Sequence, residues 1–328
     1  MAVTGIHLLD HMQTPSLVIE RGQVTFANAA AKSLLGAHIV GQDVRIAIRN
    51  PDAIAVILGD TGGSARIDGL SVGGSFWEVD CHILGSGERL VSLYDLSVQV
   101  STARAHADFV ANASHELRTP LATVLGYVET LTDPRAGGDE ATRNKFLATI
   151  RHEALRMQSL VEDLMSLSRI EAVKHEVPSG EVEMLTLIRE VAGESRGDAQ
   201  VVVNANCERA VIAGDKVQMA QVMRNLIDNA LKYGKPGGPV TITLEATDTG
   251  WLLIAVKDEG EGIAPEHLPR LTERFYRADT SRSRAAGGTG LGLSIVKHIV
   301  ERHRGRFDIT SRQGVGTTAS MMLPIARS

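Results

Sequence analysis

FVANASHELRTPLATVLGYVETL, residues 109–131, decides the fold, because it reads as a helix that carries a proline at position 120. Proline lacks an amide donor and clashes with the carbonyl four residues back. At about 100° per residue, Phe109, Ala113, Leu117, Leu121, Val124, Val128 and Leu131 share an arc of about 120°. His115 lies about 160° from the centre of that arc, and Thr119 about 40° from His115. A core histidine is thereby disfavoured, while an ordinary solvated one stays open on geometry alone. The neighbours suggest a chemistry. A neutral imidazole nitrogen near neutral pH is a nucleophile. Glu116 is a carboxylate that could take its proton, and Arg118 a cation that could steer phosphate oxygens. Pro120 frees the Glu116 carbonyl and is expected to bend the helix, keeping that turn adjustable.

Outward from this stretch, residues 99–172 contain almost no glycine or proline apart from Pro120 and DPRAGG at 133–138. They read as two long helices joined by a turn at Asp133–Gly138. The second helix spaces Phe146, Ile150, Met157, Leu160, Leu164 and Leu167 by threes and fours. Two lone amphipathic helices bury little, so a second copy is expected to complete a four-helix bundle, making a homodimer.

Residues 173–328 alternate helical and strand patterns. LTLIREVAGES and DKVQMAQVMRNLIDNALKYG read as helices, and VTITLEATDTGWLLIAVKDEG as a hairpin. GLGLSIVKHIVERHRG is helical, and RFDITSRQGVGTTASMMLP closes with another hairpin. Helices on one side of a mixed sheet make an α/β sandwich. Residues 1–98 read as a small α+β domain. Its signals are a hairpin turning at Arg21-Gly22, a short helix ended by Gly36, and two strands turning at Gly85-Ser86-Gly87. The expected organisation is therefore multidomain, with divisions at 98/99 and 172/173.

Across 328 residues, hydrophobic content is 43%, charged content 22% and net charge −5. That excludes disorder and gives no reason to expect direct nucleic-acid binding. Cys81 and Cys207 form no metal-type pair or disulfide framework. No apolar run reaches the roughly 18 residues of a membrane span, so a cytoplasmic location is expected.

In the last section, Asn225 and Asn229 are four apart and share a helix face, with Lys232 one turn along. Their amide oxygens suit Mg²⁺, though two surface asparagines are the simpler reading of the pair alone. DEGEGI follows a strand: Gly260 and Gly262 permit close backbone approach, and Asp258 offers an acceptor to a base amino group. GGTGLGL puts Gly287, Gly288, Gly290 and Gly292 at a helix start, where amides hold phosphate. A dinucleotide fingerprint would follow a strand directly, whereas here polar, basic RADTSRSRAA precedes it and reads as a lid.

FVANASHELRTPL closely resembles the H-box of two-component sensor histidine kinases of the HisKA type. The resemblance implies that His115 is the phospho-acceptor, Glu116 its activating base, and Thr119 an orienter of water in a phosphatase reaction. NLIDNALKYG, DEGEGI, ERFYR and GGTGLGL resemble, in order, the N, G1, F and G2 boxes of that family's ATP domain. They imply Mg²⁺ contact by Asn229 with Asn225 beside it, phosphate contact by Lys232 and Arg277, Tyr233 bordering the nucleotide and Asp258 reading adenine. Phe275 would anchor a lid that closes over the triphosphate through Gly288, Thr289, Gly290, Leu291 and Gly292. EHLPRLTERFYRAD with the G2 stretch looks most like phosphate-regulon sensor kinases, and residues 1–98 resemble a PAS sensor domain. ATP and Mg²⁺ are the implied cofactors, and an aspartate of a response-regulator receiver domain is the implied partner. None is assigned to the PAS-like domain, where Cys81 lacks a flavin-type motif and His38 or His82 as a haem ligand has no support beyond being histidine. A chaperone- or repair-type ATPase would explain the C-terminal boxes but leave SHELRTP idle; a non-catalytic scaffold would leave the nucleotide boxes idle.

Overall fold

Alternating apolar residues and a two-residue turn set the first element pair. In the computed structural model, β1 (Ser16–Glu20) and β2 (Gln23–Ala27) pair antiparallel, with Arg21 and Gly22 at φ 49° and 83° in the turn. Both angles fit a primed turn, whose twist matches that of the flanking strands. The structure describes residues 8–70, 74–85, 87–133, 139–173, 176–194, 201–207, 210–278 and 288–326. Ser86, Gly287, most of the turn after Asp133 and the lid stretch from residue 279 lie outside them.

Residues 1–110 and 111–328 form two compact units. The first continues through α1 (Ala29–Leu35), α2 (Val44–Ala47), α3 (Pro51–Leu58), β3 (Gly63–Asp68), β4 (Phe76–Ile83) and β5 (Arg89–Asp95). Its antiparallel sheet has the order β2-β1-β5-β4-β3. Trp77, Val79 and Cys81 alternate inward on β4 and meet Leu17, Ile19, Val91 and Leu93, with Ile39, Val44, Ile48 and Ile57 covering them. Buried Asn28 accepts from the amides of Ser16 (3.1 Å) and Ala31 (2.8 Å), so one side chain joins β1 to the start of α1. Burial pushes the Cys81 thiol up, against the pull of Arg89. His38 and His82 are exposed, and His82 pairs with Asp80 at 3.0 Å.

The hairpin is α4 (Ser97–Thr132) and α5 (Glu140–Ala172). Asp139 caps α5 by accepting from the Thr142 amide at 2.8 Å, and the rings of Tyr127 and Phe146 meet across the helices at 4.8 Å. Helix α4 runs through Pro120 without a break. The apolar arc is only partly covered: Leu121 and Val128 are 47% and 42% exposed. Two helices shield one side of a seam, and four are needed to close it.

The remaining elements are β6 (Glu181–Glu183), α6 (Met184–Glu194), β7 (Val201–Ala205), β8 (Val211–Ala213), α7 (Lys216–Tyr233), β9 (Val240–Ala246), β10 (Trp251–Lys257), α8 (Gly292–Arg302), β11 (Arg306–Arg312) and β12 (Gly316–Pro324). The main sheet runs β11-β12-β10-β9-β7, antiparallel except for β7 beside β9, and β6 pairs with β8. Val240, Ile242 and Leu244 on β9 and Leu252, Ile254 and Val256 on β10 face inward. Helices α6, α7 and α8 pack together against this sheet. Asp215 starts α7 by accepting from the Val217 and Gln218 amides. His303 is 2% exposed, donates from Nδ1 to the Ile299 carbonyl (2.8 Å) and accepts from the Asp215 amide (3.0 Å), so it ties α8 to that cap. Among the described residues no helix is long and apolar enough to cross a membrane.

Candidate active site

One face of α7 is apolar: Met219, Val222, Met223, Leu226, Ile227 and Ala230 are buried. The neighbouring face turns Asn225, Asn229, Lys232 and Tyr233 to a cleft of about 800 Å³, within the range of small-molecule sites. Asp258, Gly260 and Gly262, just after β10, form another wall, joined by Leu271, Tyr276, Arg277, Gly288, Thr289, Gly290 and Gly292. The separate sequence motifs thus converge on one cavity because α7, the C-terminal end of the central strand β10 and the start of α8 meet there.

Asp258 is 7% exposed, and its Oδ1 accepts from the amides of Gly260 (2.8 Å) and Thr317 (3.3 Å). Burial raises its carboxyl above the usual range, and the two amides oppose that rise. Among the described residues Oδ2 makes no hydrogen bond, which leaves one fixed acceptor for a ligand. Gly260 is required sterically: a Cβ would run into the Tyr233 carbonyl and come within 2.9 Å of Asp258 Oδ1. Gly290 has φ +75°, its carbonyl accepts from the Phe275 amide (2.9 Å), and a Cβ would lie 2.9 Å from the Phe275 backbone. Phe275 itself sits at φ 63°. The positive φ is easy for Gly290 and uncommon for Phe275, and the hydrogen bond holds the two positions together.

The cleft offers groups that fit a nucleotide triphosphate. Arg277 Nε is buried with no hydrogen-bond partner among the described residues, an unfilled donor of the kind phosphate satisfies. The Asn229 carboxamide also makes no hydrogen bond among the described residues, whereas Asn225 Nδ2 donates to the Gly292 carbonyl at 3.2 Å. Their amide oxygens are hard donors suited to Mg²⁺ carried in with phosphates. Leu291 is fully buried and serves as the N-cap of α8 instead of lining the cavity.

His115 is exposed, and Thr119 Oγ1 donates back to its carbonyl at 3.3 Å. Arg118 is exposed too, and none of these three lines the cleft. Glu116 connects the regions: its Oε2 accepts from Arg277 (2.9 Å) and from Arg156 on α5 (3.1 Å). Both guanidinium side chains are nearly buried, at 8% and 9% exposure. Arg277, expected at phosphate, is therefore engaged with the expected base in this arrangement. Sequence spacing does not reveal Arg156, Ser159 or Asp163, all on α5, because they approach the cleft only through the packing of α5 on α8. Thr289, 9% exposed, donates to Asp163 Oδ2 at 2.7 Å, and Arg274 pairs with Glu171.

Two families match separate stretches of the chain. The family described as His Kinase A (phospho-acceptor) domain matches residues 105–173. The family described as histidine kinase-, DNA gyrase B- and HSP90-like ATPase matches residues 214–327. The phosphate regulon sensor protein PhoR of Pseudomonas aeruginosa is 38% identical over 247 residues, covering 72% of this chain and 54% of that protein. Sensor protein SrrB of Staphylococcus aureus is 36% identical over 244 residues, covering 73% and 42%. The chain thus spans about half the length of the curated relatives it matches. The solved structure of histidine kinase ThkA in complex with response regulator protein TrrA aligns over 97% of this chain and 98% of its own, with TM-score 0.57 and 18% identity, a likeness of fold. The chain therefore carries a His Kinase A phospho-acceptor domain followed by an ATPase domain of the histidine kinase-, DNA gyrase B- and HSP90-like family.

Proposed function

We propose that this protein is an ATP-dependent protein histidine kinase that phosphorylates itself on His115 and passes the phosphoryl group to an aspartate of a response-regulator receiver domain. The observation that carries the reading is the pairing of a solvent-facing imidazole with a glycine-built cleft, bridged by the Glu116–Arg277 ion pair. In the loaded site, Asp258 would accept from the adenine amino group and Tyr233 would border the base. Lys232 and Arg277 would meet phosphate oxygens, and the Gly288–Gly292 segment would fold over them. Asn229, with Asn225 beside it, would hold Mg²⁺, which would supply positive charge against the phosphates. Positioning and charge neutralisation carry most of phosphoryl transfer in general. The unprotonated ring nitrogen of His115 would attack the γ-phosphorus as the bond from that phosphorus to the β,γ-bridging oxygen breaks and ADP leaves, while Glu116, through the Oε1 that no guanidinium among the described residues occupies, takes the proton of the other ring nitrogen. Arg118 would steer the incoming phosphoryl, and Thr119 would orient water in the reverse, phosphatase direction. Arg277 is shared with Glu116 in this arrangement and must leave the carboxylate to give its whole guanidinium to phosphate, which a change in docking between the hairpin and the ATPase domain during the cycle would allow.

The exposed leucines of α4 and α5 support a homodimer built on the hairpin. The sheet order of the first unit supports a PAS-like module at 1–98, ahead of a phosphotransfer hairpin at 99–172 and an ATP domain at 173–328, with the whole acting in the cytoplasm. The test is transfer. Chain labelled from γ-labelled ATP should lose its label to an added cognate receiver, with the receiver gaining alkali- and hydroxylamine-labile label on its aspartate. Labelled chain that passes nothing to any receiver of the same genome would contradict the second half of the proposal.

A further inference from the structure

Asp163 is a carboxylate on the phosphotransfer hairpin, yet its side chain lines the nucleotide cleft beside Ser159. It accepts the hydroxyl proton of Thr289 at 2.7 Å, and the same hydroxyl oxygen receives the Leu291 amide at 3.3 Å. Thr289 and Leu291 belong to the glycine-rich segment that enters α8, where the amides read as phosphate ligands point. Lys232, the cation expected to meet phosphate, acts electrostatically on Asp163, and burial raises the Asp163 carboxyl above its ordinary range. A carboxyl group thus already occupies the Thr289 hydroxyl, a donor that a terminal phosphate would use.

We propose that Asp163 is a specificity-determining residue: in the docked arrangement it discriminates against the third phosphate, so that the cleft takes ADP more readily than ATP until the hairpin moves. The inference rests on the ATP-site reading above. Its physical basis is repulsion placed against one of two competing ligands. The γ-phosphate adds charge at the end of the cleft where the carboxylate stands and needs the Thr289 proton that Asp163 has taken. ADP ends one phosphate earlier and competes less. Release of the hairpin would remove the carboxylate and the discrimination together, coupling nucleotide choice to docking.

The test is calorimetric titration of the full chain at pH 7.5 with Mg²⁺ and either ADP or the β,γ-imido analogue of ATP, comparing wild type, Asp163→Asn and Asp163→Glu. Asp163→Asn is expected to tighten the triphosphate analogue about tenfold and to leave ADP within about twofold. Asp163→Glu, which keeps the charge, is expected to retain the wild-type preference. The proposal is overturned if Asp163→Asn weakens the analogue, as loss of a metal ligand would. It is equally overturned if Asp163→Asn shifts both nucleotides alike, if it lowers the melting temperature with the preference unchanged, or if Asp163→Glu moves the preference as far as Asp163→Asn. Wild-type chain that binds neither nucleotide would instead overturn the ATP-site reading on which the proposal stands.

Discussion

Helix α5, with 33 residues, buries Leu160, Leu167 and Ile170, whereas α7, with 18, buries Met219, Ala220, Val222, Met223, Leu226, Ile227 and Ala230. Under the proposed function, the difference separates a phosphoryl donor site from its acceptor. The ATPase domain closes its own core and sets a few polar groups, Asp258 and Thr289 among them, inside it. The hairpin leaves Leu121, Leu125, Val128, Leu155 and Met165 in solvent and carries His115 on its surface. A donor site gains from burial, because excluded water strengthens every fixed charge and dipole. An acceptor that must meet first a nucleotide and then a separate protein gains from exposure.

The comparison can be broken most severely at the hairpin. If its exposed leucines are half of a dimer core, Leu125→Asp with Val128→Asp should weaken self-association at least a thousandfold, about 4 kcal/mol, read by sedimentation equilibrium. A wild-type chain that is already monomeric at micromolar concentration would break it outright. In the cleft, Asp258→Ala should weaken ATP about a hundredfold, near 2.7 kcal/mol, through loss of a charged, amide-fixed acceptor. An unchanged Kd by calorimetry would remove adenine from that wall. Gly290→Ala should cost about 2 kcal/mol of ATPase-domain stability, since a Cβ must enter a left-handed conformation and meet Phe275; urea denaturation measures it.

The smallest effect concerns pH. Burial holds the His303 imidazole below its ordinary value of 6.5, so the folded domain binds fewer protons than the unfolded chain just beneath that pH. The stabilisation is fully present above 6.5 and is lost as pH falls from there toward the depressed folded value. Urea midpoints taken between pH 7.5 and 5.5 should therefore decline, and His303→Gln should flatten the decline. A slope that persists in the variant would assign the titration elsewhere.

Much of this contrast is legible in the sequence, and the gaps have physical causes. The αα-hairpin and the helices and hairpins of the ATPase domain follow from 3.6- and 2-residue periods with Gly at the turns. Strand β3 escapes because GSARID alternates small and charged residues at a sheet edge, where only Ala65 and Ile67 carry an apolar signal. Strand β7 escapes because it is short and joins the sheet parallel to β9, a pairing set by the fold and not by a local turn. The same limit applies to the site. Asn225, Asn229, Asp258 and the glycines stand out because their motifs, taken together and in order, resemble the nucleotide boxes of a known family, whereas the asparagine pair alone reads as surface. Arg156 and Asp163 lie on a periodic helix as ordinary charges until tertiary packing brings Glu116 and Thr289 to them. The arc containing Leu121 and Val128 is apolar in sequence, yet the single chain leaves both exposed, the pattern that the proposed homodimer requires.

The most direct measurement is to incubate the full chain with Mg-ATP, digest under neutral conditions and locate the phosphoryl group by mass spectrometry, alongside His115→Gln. The account predicts an acid-labile, alkali-stable phosphoryl on the His115 imidazole and none in the variant. A phosphoryl group on any other residue, or an unmodified His115 in chain that binds ATP, would contradict it.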